Sequence, residues 1–102
     1  MDLSGKYVAI FGTGDSVLYS ESFCDAIGII YKELIGTNCM FCGAVSIDGY
    51  TFDGSVARIR DMFVGLPLDE INESELTDQR IDEWIEQITV ECLNKLTGYC
   101  MV

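Results

Sequence analysis

Apolar positions along the chain fall into two kinds of pattern. Tyr7-Val-Ala-Ile-Phe11 is a short continuous run closed by Gly12, the pattern of a strand buried on both faces of a parallel sheet. From Ser22 to Leu34 the residues Phe23, Ala26, Ile27, Ile30, Tyr31 and Leu34 recur at spacings of three and four, which predicts a helix with one core-facing stripe and a stop at Gly36. Cys39 to Val45 forms a second buried run. Residues 46–62, SIDGYTFDGSVARIRDM, mix turn formers with isolated apolar residues, so a long excursion with little regular structure is expected. A third run spans Phe63 to Leu68. The last helix is expected to start near Thr77, with Leu76 and Ile81 as a hydrophobic staple, and to continue through Trp84, Ile85, Ile88, Cys92 and Leu96.

The order is therefore strand, helix, strand, excursion, strand, helix, without repeats or low-complexity segments. At 102 residues this is one domain, residues 1–102. A strand-helix-strand unit with two-face-buried strands implies a right-handed parallel crossover, and such sheets bind ligands beyond the carboxyl ends of their strands. The turn Phe11-Gly-Thr-Gly-Asp15 lies at such an end.

Charge narrows the partners. Seventeen Asp and Glu stand against six Lys and Arg, a formal net charge of -11, which opposes binding to nucleic acid or anionic lipid and favours basic proteins. No apolar run approaches the ~20 residues that cross a bilayer, and MDLSGKYVAI lacks the features of a secretory leader, so a cytoplasmic location is expected. Five cysteines, an odd count in that setting, are read as free thiols. Cys39-x-x-Cys42 sits inside an apolar run in a chain without histidine; it is read as two buried strand residues rather than half a metal site. Asp15 reads as a turn cap as readily as a general acid. Without histidine, nucleophile elbow or paired-carboxylate motif the chain is not expected to be an enzyme. The acidic stretch from Asp69 to Asp82 reads first as a solvated loop and helix start, and second as a docking face for a basic redox partner.

The stretches DLSGKYVAIFGTGD, VLYSESFCDAIG, DGYTF, FVGLPLDE and ELTDQRIDEWIEQI resemble, collinearly from about Asp2 to Leu93, the C-terminal half of a long-chain flavodoxin. The resemblance implies an α/β, flavodoxin-like fold: a partial three-layer sandwich with parallel strands and a helix on each face. It also implies an FMN electron carrier in which this chain supplies the loop over the isoalloxazine ring. Tyr19 would stack on the ring, Thr13, Gly14 and Asp15 would follow its pyrimidine edge with backbone hydrogen bonds, and Ser22 and Cys24 would lie near its polar nitrogen and oxygens. Glycines permit close backbone approach, and an aromatic face gains from offset stacking. Flavodoxins surround the ring with carboxylates, which penalises the anionic reduced flavin; a strongly negative chain suits that.

The chain departs from the family pattern at Ser16 and Ser22, where glutamine and asparagine are usual, and at Ile71, where an aspartate is common. The family's Thr/Ser-rich phosphate loop, normally between the first strand and first helix, has no counterpart in these residues. FMN binding is therefore expected to be weak or absent without that loop. The open side of the Tyr7–Phe11 strand predicts a homodimer, or pairing with a chain carrying the N-terminal half. The alternative is a flavin-free interaction module or truncated remnant that self-associates through this edge.

Overall fold

The computed structural model describes residues 1–96. Its centre is one extended segment divided at Ile10 into β1 (Tyr7–Ala9) and β2 (Phe11–Thr13). Helix α1 (Asp25–Leu34) follows, then β3 (Met40–Cys42) beside β1. The excursion carries β4 (Val45–Ser46), β5 (Arg58–Ile59) and β6 (Met62–Phe63). Next come β7 (Leu66–Leu68), beside β2, and helix α2 (Thr77–Leu96).

Both pairings of the central segment are parallel: Val8 is in register with Phe41, and Gly12 with Pro67. Their hydrogen bonds share a parity. Met40 N–H donates to the Lys6 carbonyl at 2.8 Å, Leu66 N–H to Ile10 at 2.8 Å, and the Gly14 N–H donates to Leu68 at 2.9 Å. Alternate residues of a strand in a parallel sheet direct their backbone groups to opposite edges. With Lys6, Ile10 and Gly14 all turned the same way, β3 and β7 lie in line along one edge, as two pieces of an interrupted strand. The backbone groups of Ala9, Phe11 and Thr13 face the other edge, and no described strand runs there.

The second and third apolar runs are thus each split between sheets. Gly43, at a φ of 83°, ends β3, and Val45 passes into an antiparallel sheet of order β4-β6-β5. Phe63 belongs to that sheet and Leu66 to the parallel one. The excursion is more regular than its composition suggests. Two-residue strands leave no periodicity to read, and what organises them is burial: Tyr50, Phe52 and Phe63 close around Phe23 with ring centroids 5.0–6.2 Å apart, and such pairs add to plain area burial.

A helix covers each face. Val8 and Ile10 pack with Phe23, Cys24, Ile27 and the excursion on the α1 side. Ala9, Leu66 and Leu68 pack with Trp84 and Ile88 of α2. Burial of the central segment is incomplete: Ile10 is buried, while Phe11 is 63% exposed, its ring edge-on to Trp84 at 6.3 Å.

Element ends differ from expectation for local reasons. Helix α1 starts three residues later than its stripe, after Cys24 at a φ of 53°. It runs past Gly36 through a 3-10 turn, Ile35–Thr37, to a left-handed Asn38, a residue that tolerates that conformation. Before α2, Ser74–Leu76 form another 3-10 turn. Thr77 does not cap the helix with its side chain: its hydroxyl is buried without a partner among the described residues. Along α2, Trp84 is buried and Ile88 half-buried, whereas Ile85 is exposed. The expected Leu96 contact lies outside the described side chains.

Candidate functional site

The carboxyl ends of β2 and β7 lie side by side, Thr13 in register with Leu68. The chain leaves them as two adjacent turns, residues 14–19 and 69–73. Close approach shapes the first turn. A Cβ on Gly14 would lie 2.8 Å from the Cys24 sulfur and 2.9 Å from the Cys24 amide, so only glycine fits.

Asp15 does cap its own turn. Its Oδ1 accepts the N–H groups of Val17 at 3.0 Å and Leu18 at 2.9 Å, and the Asn72 side-chain amide at 2.8 Å. The Leu18 amide, then the Asn72 amide, holds its carboxyl below the ordinary range. These bonds to its charged form make proton donation at neutral pH unfavourable.

Asp69, expected in a solvated loop, is fully buried. Its carboxylate accepts from the Ser16 amide at 3.0 Å, the Ser16 hydroxyl at 2.5 Å, the Ile71 and Asn72 amides at 3.1 and 2.9 Å, and the Asn72 side chain. Burial by itself would raise its pKa, but the Ser16 and Asn72 hydrogen bonds outweigh that and hold it well below the usual carboxylate range. A buried charge is tolerable when its hydrogen bonds are satisfied. Ser16, read as a mere departure from a family pattern, is what ties the first turn to the second.

Above this polar base stand exposed side chains: Tyr19 is 61% exposed, and Val17, Leu18 and Ile71 are more exposed still. Thr13 and Ser22 are also exposed, with the Ser22 N–H donating to the Tyr19 carbonyl at 3.2 Å. Cys24 is placed differently. Its side chain is 4% exposed and tucked under the turn, the sulfur 3.9 Å from the Gly12 carbonyl. Desolvation pushes its thiol up to about 12, so it is a neutral packing group. The structure therefore brings Thr13, Gly14, Asp15, Tyr19 and Ser22 into one loop system with Cys24 beneath it. Sequence reasoning missed Ser16, Asp69 and Asn72 as its scaffold. The available signal was an Asp directly following a buried strand at the carboxyl edge of a parallel sheet.

These residues fit one side of a planar ligand: an exposed aromatic beside exposed backbone, with carboxylates close behind. They do not fit a phosphate, since among the described residues no Lys or Arg lies in 11–24 or 68–73. A separate cavity of 270 Å³ between the excursion and α2 is lined by Val45, Tyr50, Leu66, Arg80, Trp84 and neighbours, and includes none of the loop residues above. There the Arg80 guanidinium sits 4.1 Å from the Tyr50 ring centroid and pairs with Glu73 at 3.2 Å.

A parallel sheet with a helix on each face defines an α/β protein of the doubly wound kind, here with an exposed loop at the strand carboxyl ends. No family model matches the chain. It is 46% identical over 91 residues to a flavodoxin of Nostoc sp., covering 89% of this chain and 54% of that protein. It is 41% identical over 92 residues to flavodoxin 1 of Azotobacter vinelandii, covering 90% and 53%. The crystal structure of Fusobacterium nucleatum flavodoxin bound to flavin mononucleotide superposes with a TM-score of 0.84 at 35% identity, over 89% of this chain and 55% of that one. The chain is homologous to these flavodoxins and shares the corresponding part of their fold, and it spans about half the length of the relatives it matches. Among the described residues no helix is long and apolar enough to cross a membrane.

Proposed function

We propose that the chain acts in low-potential electron transfer through FMN, contributing the loop that covers the isoalloxazine ring. The observation that carries this is Tyr19, exposed on a turn whose first residues are hydrogen-bonded by Asp15 and Asp69 at the carboxyl ends of two parallel strands. FMN, when bound, supplies the one-electron chemistry. The chain's own part is to cover one ring face with Tyr19, to exclude water there, and to offer the backbone of Thr13, Gly14 and Asp15 to the ring's pyrimidine edge, with the backbone of Ser22 and Cys24 near its polar nitrogen and oxygens. Ionised Asp15 and Asp69 disfavour added negative charge nearby, which lowers the potential at which a final electron is accepted. The net charge of -11 suits docking to a basic redox partner.

The loop system offers no Lys or Arg to a phosphate among the described residues, so phosphate binding falls to other residues: a polypeptide carrying the other half of the fold, or a second copy that completes the site. Stacking on one tyrosine adds only about 1 kcal/mol beyond area burial, so the chain alone binds FMN weakly or not at all. Titration of FMN, followed by its fluorescence, tests this with the isolated chain and with the chain mixed with the N-terminal half of a flavodoxin. Binding is expected only in the mixture or in a self-associated form. Submicromolar binding by a monomer overturns the division of labour, and failure of every assembly to bind overturns the flavin reading.

The open edge beside Ala9, Phe11 and Thr13 favours a second reading, a flavin-free module that self-associates. An apolar edge without proline or lysine templates pairing with another chain.

A further inference from the structure

Besides the packing of Tyr50 and Phe52 on Phe23, the excursion meets the stretch after Tyr19 in a dense set of hydrogen bonds. The Asp53 and Gly54 N–H groups both donate to the Ser20 carbonyl, at 2.8 and 2.9 Å. The Asp53 carboxylate accepts the Ser20 hydroxyl at 2.8 Å. The Phe23 N–H returns a bond to the Gly54 carbonyl at 3.1 Å, and the Val56 N–H donates to the Asp25 carboxylate at 2.8 Å. Five hydrogen bonds thus join residues 53–56 to residues 20–25, the stretch that begins directly after Tyr19.

The excursion can bear on the loop because its own ends are fixed. Phe52 packs on Phe23 and Phe63, and Ala57, next to this segment, is fully buried. The Ile47 N–H is held by the Asp61 carbonyl at 3.0 Å. The first half of the loop is pinned through Asp15 and through Ser16 on Asp69, and its far end by the buried Phe23 and Cys24; between them the hydrogen bonds from residues 53–56 fasten Ser20, the residue directly after Tyr19. Tyr19 lies between the two attachments, and most of its own side chain is in solvent, so its position is set by the backbone on either side.

We propose that residues 53–56 are a positioning clamp for Tyr19, with Asp53 and Asp25 as its side-chain fasteners. This rests on the reading of the Tyr19 loop as a flavin cover, and it assigns the excursion a role in that site although none of its residues belongs to it. A loop held at both ends presents its aromatic ring in one orientation, so less conformational freedom is lost when a planar ligand stacks. Releasing one end restores that freedom and admits water to the stacked face.

The test uses the full chain and, for flavin, its FMN-binding assembly. Hydrogen exchange of the amides of residues 16–24 is compared in wild type, Asp53→Ala, Asp25→Ala and Asp53→Asn, with urea unfolding as the control for global stability. Asp53→Ala and Asp25→Ala are expected to speed exchange in 19–24 about tenfold while the amides of β1, β3 and β7 are unchanged. Asp53→Asn, which keeps an acceptor for the Ser20 hydroxyl, is expected to restore protection. In the assembly, Asp53→Ala is expected to weaken FMN binding about threefold to tenfold and to shift its reduction potentials, and Asp53→Asn to reverse both. Unchanged exchange in both alanine variants overturns the clamp. Faster exchange with unchanged affinity and potentials overturns its role in positioning Tyr19. If no wild-type assembly binds FMN, the flavin reading fails and the positioning role with it, while exchange still decides whether the clamp exists.

Discussion

Ser16 gives both of its donors to Asp69, the amide at 3.0 Å and the hydroxyl at 2.5 Å, across 53 residues of sequence. This pair makes one site of two turns that follow different strands. Replacing Asp69 with Ala strands the Ser16 amide and hydroxyl in a buried place and removes the acceptor of the part-buried Ile71 and Asn72 amides. Unsatisfied groups of this kind cost roughly 1–3 kcal/mol each, so Asp69→Ala is expected to lower stability by about 2–4 kcal/mol in urea unfolding. A loss below about 0.5 kcal/mol, the scale of ordinary surface changes, would contradict the burial seen here.

The same carboxylate sets an acid limit. Its folded pKa lies below the ordinary value of 3.8, so the stability it contributes is fully present above the unfolded pKa and is lost as pH falls through the folded one. Below about pH 4 the wild type should lose stability more steeply than Asp69→Asn, which has no proton to take up. Parallel slopes for the two proteins would remove Asp69 from the account. Unfolding midpoints at a series of pH values decide it.

Cys24 should be the slowest of its neighbours to react. Its buried thiol, pushed up to about 12, offers almost no thiolate at pH 8, whereas Cys39 and Cys92 are only half-buried. Alkylation with iodoacetamide followed by peptide mass spectrometry should label Cys39 and Cys92 well before Cys24. Early labelling of Cys24 would place its sulfur on the outside of the turn.

Gly43 and Trp84 are fitted to each other. The indole N–H donates to the Gly43 carbonyl at 2.8 Å, and a Cβ at Gly43 would lie 2.7 Å from that same nitrogen. With a φ of 83° as well, Gly43→Ala should cost about 2–4 kcal/mol from backbone strain plus overpacking. Trp84 is the single tryptophan, so its fluorescence should shift with the loss of stability. An unaltered spectrum and midpoint would refute the contact.

Tyr19→Ala tests the ring contact itself. In an assembly that holds FMN it should weaken the oxidised flavin and displace the reduction potentials, because losing the stack and admitting water affect the oxidation states unequally. Unchanged affinity and potentials would put the flavin elsewhere.

Edge pairing is open to sedimentation at micromolar concentration, where self-association is expected. Ala9→Pro removes an N–H that faces the open edge and should shift the protein towards monomer. A wild type that stays monomeric would show the edge to be covered in another way.

The sequence by itself determined the order of elements, the parallel α/β class and the loop at the end of the first strand. Those features rest on local patterns: continuous apolar runs, a stripe at helical spacing, and glycines where the backbone turns tightly. Asp15 as a turn cap was legible too, since its bonds to Val17 and Leu18 lie within three residues. Only the tertiary structure decided that β3 and β7 share one edge, because the parity of hydrogen bonds on Lys6, Ile10 and Gly14 has no trace in composition. It alone turned Asp69 from a solvated acid into the buried anchor of the site, and residues 53–56 from an irregular excursion into a strap on the Tyr19 loop. The physical reason is the same in each case. Whether a carboxylate or a short polar segment is solvated or structural depends on which donors the fold brings to it, and here Ser16 and Ser20 come from 53 and 33 residues away.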